Sequence, residues 1–116
     1  MVVNPGDIYW VALKPGPPHP QVVIQENVIN RSRINTVVVC ALTTNLKRAK
    51  APGNVLLEAG EANLPRQSIV VVSQVSSINK AQLGEYIGSL SEQRLQQIAK
   101  GMQFLQRMSE HRQVEE

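Results

Sequence analysis

The sequence predicts a mainly β (α+β) fold in a single domain spanning residues 1–116, built as a small twisted barrel or sandwich with a C-terminal α-helix. Five short segments rich in Val, Ile and Leu follow one another, with turn-forming residues between them. The apolar period then changes to that of a helix near residue 91. No long helical pattern lies between the strand segments, which disfavours a parallel α/β sheet.

The strand segments are separated by Gly, Pro and Asn, residues that fix or permit the backbone angles of turns. The richest such run is "PGPPHP" at 15–20, which joins the first two segments and holds His19 between two prolines. Because proline restricts its own backbone and that of the residue before it, we expect this loop to be stiff. The predicted strands are 7–13, 21–25, 36–43, 54–58 and 68–75.

The predicted helix covers about 91–109, and residues 110–116 are expected to fray. Ser91 is the expected N-cap, and Glu92 suits the positive end of the helix dipole. Gly101 weakens the helix by roughly 1 kcal/mol relative to alanine unless close packing compensates. The stripe expected to pack on the sheet consists of Leu95, Ile98, Ala99, Met102, Leu105 and Met108.

The length, charge and cysteine content indicate a small single-domain protein with a polyanionic partner. A chain of 116 residues and 12.8 kDa can bury one core, and its formal net charge of +3 and pI of about 9.4 favour a polyanionic partner. The single cysteine, Cys40, lies among apolar residues, which indicates a buried thiol in a reducing compartment. Since the sequence shows neither a secretory leader nor an apolar run of about 18 residues, we expect a cytoplasmic protein without a membrane span.

Several enzyme motifs are missing from the sequence. It has no His/Cys cluster with metal-ligand spacing, no Gly-rich phosphate loop and no Gly-x-Ser-x-Gly elbow. We therefore expect neither a metal nor a cofactor.

A set of short motifs runs in order along almost the whole chain. They are "GDIYWV" (6–11), "VVIQEN" (22–27), "TVVVCALTT" (36–44) and "LPRQSIVVVSQVSSINKAQLG" (64–84). Together they resemble the MazF/PemK family of toxin endoribonucleases over roughly Gly6 to Leu105. Each motif is weak by itself, but the ordered set is specific.

The resemblance implies an SH3-like β-barrel of about five to seven strands with a C-terminal helix, usually assembled as a homodimer. It implies cleavage of single-stranded RNA at short sequence motifs, without metal, leaving a 2′,3′-cyclic phosphate or 3′-phosphate and a 5′-hydroxyl. The implied partner is a cognate antitoxin whose acidic disordered tail covers the RNA groove, and through which DNA could be contacted indirectly.

The resemblance implies a catalytic pair that consists of an arginine in the first loop and a threonine at the end of the third strand. By position the threonine falls on Thr43, whereas the arginine position is occupied by His19. Two further departures lie at Ser76-Ser77, where an arginine is common, and at Gln67, where an acidic residue is common.

Histidine can perform the chemistry that metal-independent RNA cleavage requires. The reaction needs a base for the 2′-hydroxyl, an acid for the departing 5′-oxygen and donors for the charged phosphorane. An imidazole with an ordinary pKa near 6.5 exchanges protons at neutral pH, whereas a guanidinium stays charged. The simpler alternatives are an exposed loop residue for His19 and an ordinary strand residue for Thr43.

RNA contacts are expected from groups near the proline loop and near the end of the third strand. Basic side chains would attract phosphates, and amide and hydroxyl groups would reach base edges; for the basic turn, a solvated loop is an equally good interpretation. Of the adjacent aromatics Tyr9 and Trp10, at most one should face the groove, and Trp10 is expected in the core. The predicted RNA-binding residues are Lys14, Thr44, Lys47, Arg48, Gln74 and Ser76.

Two other functions stay open at this point. The related CcdB toxins share the barrel but bind DNA gyrase, generally through the end of the terminal helix. A catalytically impaired family member that only binds antitoxin or RNA is the other alternative, because the arginine is missing.

Overall fold

The computed structural model describes residues 2–13 and 15–114, with side chains described up to residue 107. Six strands, two helices and three short 3₁₀ turns make up this part of the chain. The strands are β1 (Asp7–Val11), β2 (His19–Val23), β3 (Thr36–Thr43), β4 (Val55–Leu57), β5 (Ser68–Asn79) and β6 (Leu83–Ser89). The helices are α1 (Asn27–Asn30) and α2 (Glu92–Val114), and the turns are Leu46–Lys50, Glu61–Asn63 and Lys80–Gln82.

All six strands belong to one antiparallel sheet in the order β4-β5-β3-β2-β1-β6. The predicted mainly β class with a C-terminal helix is confirmed. Within the described residues the edge strands β4 and β6 do not pair with each other, so the sheet is curved but not closed by hydrogen bonds. In the same part of the chain, neither helix combines the length and apolar character needed to cross a lipid bilayer.

Strand β6 was not among the five predicted segments, because its glycines resemble turn signals. They serve instead for close backbone contact. A Cβ on Gly84 would lie 2.8 Å from the Trp10 carbonyl oxygen, and one on Gly88 would overlap the Ala62 carbonyl. Each glycine therefore lets β6 approach a neighbouring backbone, a requirement that only the folded chain reveals.

The "GDIYWV" motif has a structural explanation. The Asp7 carboxylate is buried and accepts hydrogen bonds from the Asn4 backbone N–H (3.0 Å) and the Ser89 hydroxyl (2.6 Å). Gly6 adopts a positive φ of 90°, and its N–H donates to the Val23 carbonyl at 2.8 Å. These contacts join β1 to β2 and β6 at one end of the sheet.

Apolar residues are buried on both faces of the sheet. Val22 belongs to the cluster that includes Ile98 of α2, whereas its neighbour Val23 belongs to a second cluster formed by β1, β2, β3, β5 and β6 with Val3. This division follows from the alternation of side chains along a strand.

Helix α2 packs on the sheet largely as the apolar period predicts. Ile98 is buried, and the N-cap is Ser91, whose hydroxyl accepts from the Arg94 N–H at 3.2 Å. Ala99 is exposed, contrary to prediction, and the Met108 side chain lies outside the described residues. The helix runs to Val114, beyond the predicted boundary near residue 109, and Gly101 packs directly on the backbone of Gly53, which provides the compensating contact.

Candidate active site at the rim of the sheet

His19 and Thr43 both lie at one end of the sheet, which we call the rim: the end of β1, the start of β2 and the end of β3. His19 is the first residue of β2, is exposed, and pairs with Val11. Thr43 is the last residue of β3, is half-buried, and pairs with Ile69 of β5. The rim therefore carries both residues of the predicted catalytic pair.

The register between β2 and β3 relates the two residues. Gln21 pairs with Ala41, and Val22 pairs with Cys40. Continuing this antiparallel register by two residues brings His19 opposite Thr43. Cross-strand partners share a face of the sheet, so the imidazole and the hydroxyl belong to the same face, beyond the last paired residues.

The Thr43 hydroxyl is held in place by the turn that follows it. Its oxygen accepts a hydrogen bond from the Asn45 backbone N–H at 3.2 Å, and the Asn45 side chain in turn accepts from the Lys47 N–H at 3.2 Å. This is the local role expected of an ordinary strand threonine. The O–H proton can still be donated to another group, such as a phosphate oxygen.

A basic turn follows Thr43 directly. Residues Leu46–Lys50 form a 3₁₀ turn in which Lys47 and Lys50 are exposed and Arg48 is half-buried. No ion pair involves these three cations in the described part of the chain. Three positive charges therefore lie within a few residues of the candidate site.

A cavity of about 230 Å³ opens beside the rim. Trp10 lines it with 39% of its surface exposed, so the prediction of a core tryptophan is wrong; the adjacent Tyr9, only 5% exposed, points to the opposite face and lies in the core. The cavity therefore provides a stacking surface at the aromatic that was expected in the core. Its other lining residues are Pro20, Thr44, Leu64, Pro65, Arg66, Ser68 and Ile87.

The remaining predicted RNA-binding residues are Ser76, Gln74 and Lys14. Ser76 pairs with Val39, four residues along β3 from Thr43, which corresponds to about 13 Å along the strand. Gln74 is exposed in the stretch where the β3–β5 register shifts between Cys40 and Leu42. Lys14 lies outside the described residues. Ser76 therefore lies well away from Thr43 along the sheet.

Gln21 was missed by sequence reasoning. Its side chain is only 7% exposed, and Oε1 has no hydrogen-bond partner among the described residues. The available signal was a polar residue at the head of the apolar run "VVI". Its position two residues after His19 brings it next to the candidate site.

The single cysteine belongs to the hydrophobic core. Burial raises the pKa of the Cys40 thiol to about 12, and its Sγ donates to the Val71 carbonyl at 3.1 Å, so it is a core residue rather than a nucleophile. Searching residues 2–13 and 15–107 finds no group of three or more His, Cys, Asp or Glu side chains placed to hold a metal ion.

Sequence comparison identifies the family. Residues 4–105 match the family described as PemK-like, MazF-like toxin of type II toxin-antitoxin system. The chain belongs to this family. The predicted toxin family and its endoribonuclease class are thereby confirmed.

Individual members of the PemK/MazF family support the assignment. Endoribonuclease MazF6 of Mycobacterium tuberculosis is 34% identical over 110 residues, covering 88% of this chain and 95% of the relative. Endoribonuclease EndoA of Bacillus subtilis is 29% identical, covering 90% and 94%. A mycobacterial endoribonuclease solved in complex with its cognate antitoxin shares the fold with a TM-score of 0.73 at 24% identity, covering 85% and 89%.

Proposed function

We propose that this PemK/MazF-family toxin is a sequence-specific, metal-independent endoribonuclease that cuts single-stranded RNA at the rim, with His19 and Thr43 at the scissile phosphate. The proposal is supported by the β2–β3 register, whose continuation by two residues beyond Gln21 and Ala41 would bring the exposed His19 opposite the half-buried Thr43, beside a basic turn. The endoribonuclease class comes from the family; the residues, end chemistry and metal independence are what we propose.

The chemistry divides between the two side chains. Neutral His19 accepts the proton of the 2′-hydroxyl as its oxygen attacks phosphorus, and the Thr43 hydroxyl donates to a phosphoryl oxygen whose charge grows in the transition state. The bond to the 5′-oxygen breaks, and that oxygen takes up a proton from solvent. The products are a 2′,3′-cyclic phosphate, which can open to a 3′-phosphate, and a 5′-hydroxyl.

The basic turn supports substrate capture. Lys47 and Arg48 lie in the turn directly after Thr43, so their charges would attract the phosphates that flank the cut. Thr44 and Trp10 line the cavity on the other face of the sheet, because Trp10 pairs with Pro20 whereas His19 pairs with Val11. RNA would thus be held at the reacting phosphate by charge, and a base farther along the strand could stack on the indole after passing over the rim.

We further propose that the chain acts as a cytoplasmic homodimer controlled by a cognate antitoxin with an acidic tail. Support comes from the family and from the relative solved with its antitoxin. Acidic segments would compete with RNA for the basic turn, since both present negative charge. Any contact with DNA would be indirect, through the antitoxin.

The test is cleavage of a long unstructured RNA in EDTA by three proteins: wild type, His19→Ala and His19→Arg. Discrete cuts with 5′-hydroxyl ends support the nuclease, and His19→Ala should lower the single-turnover rate. His19→Arg restores the family residue, so its rate shows whether a guanidinium can replace the imidazole at this position. Intact RNA with wild type would contradict the proposal: RNA that stays bound would indicate an impaired family member, and gyrase-linked DNA breaks would indicate the CcdB-like activity.

A further inference from the structure

The buried side-chain oxygen of Gln21 lacks a hydrogen bond within the described residues, unlike the other buried side-chain polar atoms there. Among the described residues it is the one buried side-chain N or O atom without a hydrogen-bond partner. Buried polar atoms are normally paired, because an unpaired acceptor has given up its hydrogen bonds to water without replacing them. This oxygen therefore needs a donor that residues 2–13 and 15–107 do not supply.

The strand register puts Gln21 beside the candidate catalytic pair. It lies two residues after His19 on β2, about 7 Å along the strand, and so shares a face with it. Its cross-strand partners are Tyr9 on one side and Ala41 on the other, and Ala41 precedes Thr43 by two residues. The next row of the sheet toward the rim carries His19, and a glutamine side chain is long enough to reach a nucleotide held at that row.

A second buried glutamine shows that this fold can satisfy such a group. Gln25, 8% exposed, donates from Nε2 to the Asn30 side-chain oxygen at 2.9 Å and to the Thr36 carbonyl at 3.3 Å. The Asn30 amide donates back to the Gln25 carbonyl at 2.7 Å. The two glutamines have similar burial, and they differ in that Gln21 lies next to the rim while Gln25 lies beyond the opposite end of β2.

We propose that Gln21 Oε1 accepts a hydrogen bond from the nucleotide bound at His19 and Thr43, which makes Gln21 a substrate-binding residue. The inference rests on the proposed function and adds a recognition element to the same site. Since the oxygen can only accept and phosphodiesters have no donor, the RNA group must be a ribose 2′-hydroxyl or a base N–H. A 2′-hydroxyl contact would let the protein distinguish RNA from DNA at this position.

The test compares Gln21→Leu with the matched variant Gln25→Leu, first by stability. Removing an unpaired buried acceptor should leave the urea unfolding midpoint unchanged or raise it. Gln25→Leu should lower the midpoint, because the buried Asn30 side-chain oxygen loses its donor. A drop for Gln21→Leu as large as that for Gln25→Leu would overturn the inference, because it would show that the oxygen is already satisfied within the fold.

Binding is measured next with the long unstructured RNA, in a His19→Ala background that slows cleavage, with and without Gln21→Leu. We expect the dissociation constant to rise about three- to tenfold, the range of one net hydrogen bond. Single-stranded DNA of the same sequence, with deoxyuridine for uridine, identifies the donor. If only RNA binding weakens, the donor is the 2′-hydroxyl; if RNA and DNA binding weaken equally, it is a base N–H.

The outcomes separate this inference from the nuclease proposal. RNA that is cut by wild type but bound equally well with and without Gln21→Leu overturns the inference and leaves the nuclease intact. RNA that is never cut, yet is bound in a Gln21-dependent way, supports the inference and contradicts the nuclease. Absence of any RNA binding overturns both.

Discussion

The two ends of strand β2 treat polar groups in opposite ways. At the far end, which we define by Gln25, Asn30, Thr36 and Lys80, the polar side chains bond to one another or to backbone carbonyls, and Lys80 Nζ donates to the Asn30 carbonyl at 3.1 Å. At the rim, His19 is exposed and Gln21 Oε1 has no partner in the described part of the chain. The far end uses its polar groups for stability, and we propose that the rim keeps them for a ligand.

Of the substitutions that test this difference between the two ends, one at the rim should have the largest effect, and that effect is on RNA cleavage. His19→Ala should lower single-turnover RNA cleavage by about 10²- to 10⁴-fold, the usual contribution of a positioned acid or base. The free energy of unfolding should change little, because the side chain is exposed. Unchanged cleavage would remove His19 from the mechanism, and a large loss of stability would make it a structural residue.

A substitution at the far end should instead lower stability and leave RNA cleavage unchanged. Asn30→Ala removes the partner of the Gln25 amide and carbonyl, so we expect the free energy of unfolding to fall by about 3 kcal/mol in urea titrations. Cleavage per folded molecule should stay at the wild-type level. A selective loss of cleavage without loss of stability would mean that the two ends are coupled.

The salt dependence of RNA binding distinguishes a lysine near the rim from a lysine at the far end. Lys47→Gln near the rim should make the slope of log binding constant against log salt shallower by about 0.7, as expected for one phosphate contact of a single strand. Lys80→Gln, the far-end control, should leave that slope unchanged and lower stability, because its ammonium group bonds to Asn30. Equal slopes for Lys47→Gln and wild type would mean that Lys47 contacts no phosphate.

The smallest effect on stability is expected from an ion pair that lies at neither end of β2. Arg94 Nε lies 2.7 Å from Glu61 Oε2, and this hydrogen bond is the main reason that the pKa of Glu61 is lowered from 4.5. A lowered folded-state pKa stabilises the protein above pH 4.5, and the gain disappears as pH falls through the folded value. Arg94→Met should therefore cost about 1 kcal/mol of unfolding free energy at pH 7 and less at acid pH.

Arg107→Met is the control for that measurement, since Arg107 is exposed on the same helix and makes no ion pair within the described residues. Unfolding of both variants is followed in urea between pH 3 and 7. A difference between Arg94→Met and wild type that stays constant across this range would show that the Glu61 carboxylate is not the stabilised group.

Local patterns were enough to predict much of the architecture. Runs of β-branched residues between turn residues indicated β1 to β5, and the change of period indicated α2 with Ser91 as its cap. The ordered motifs predicted the family that the comparison confirmed. The assignments of His19 and Thr43 stay predictions, because they depend on position within those motifs and the chain departs from the family at His19.

The sequence by itself determined five of the six strands, the C-terminal helix and the family, because periodicity and turn chemistry act over a few residues. Only the tertiary structure decided that Gly84 and Gly88 belong to a strand and that Trp10 lines a cavity. It also decided that, among the described side chains, the buried oxygen of Gln21 rather than the Gln25 side chain is left without a partner. Each of these depends on which backbone or side chain from a distant segment comes into contact. Such contacts are fixed by strand register and sheet curvature, which no local window of sequence contains.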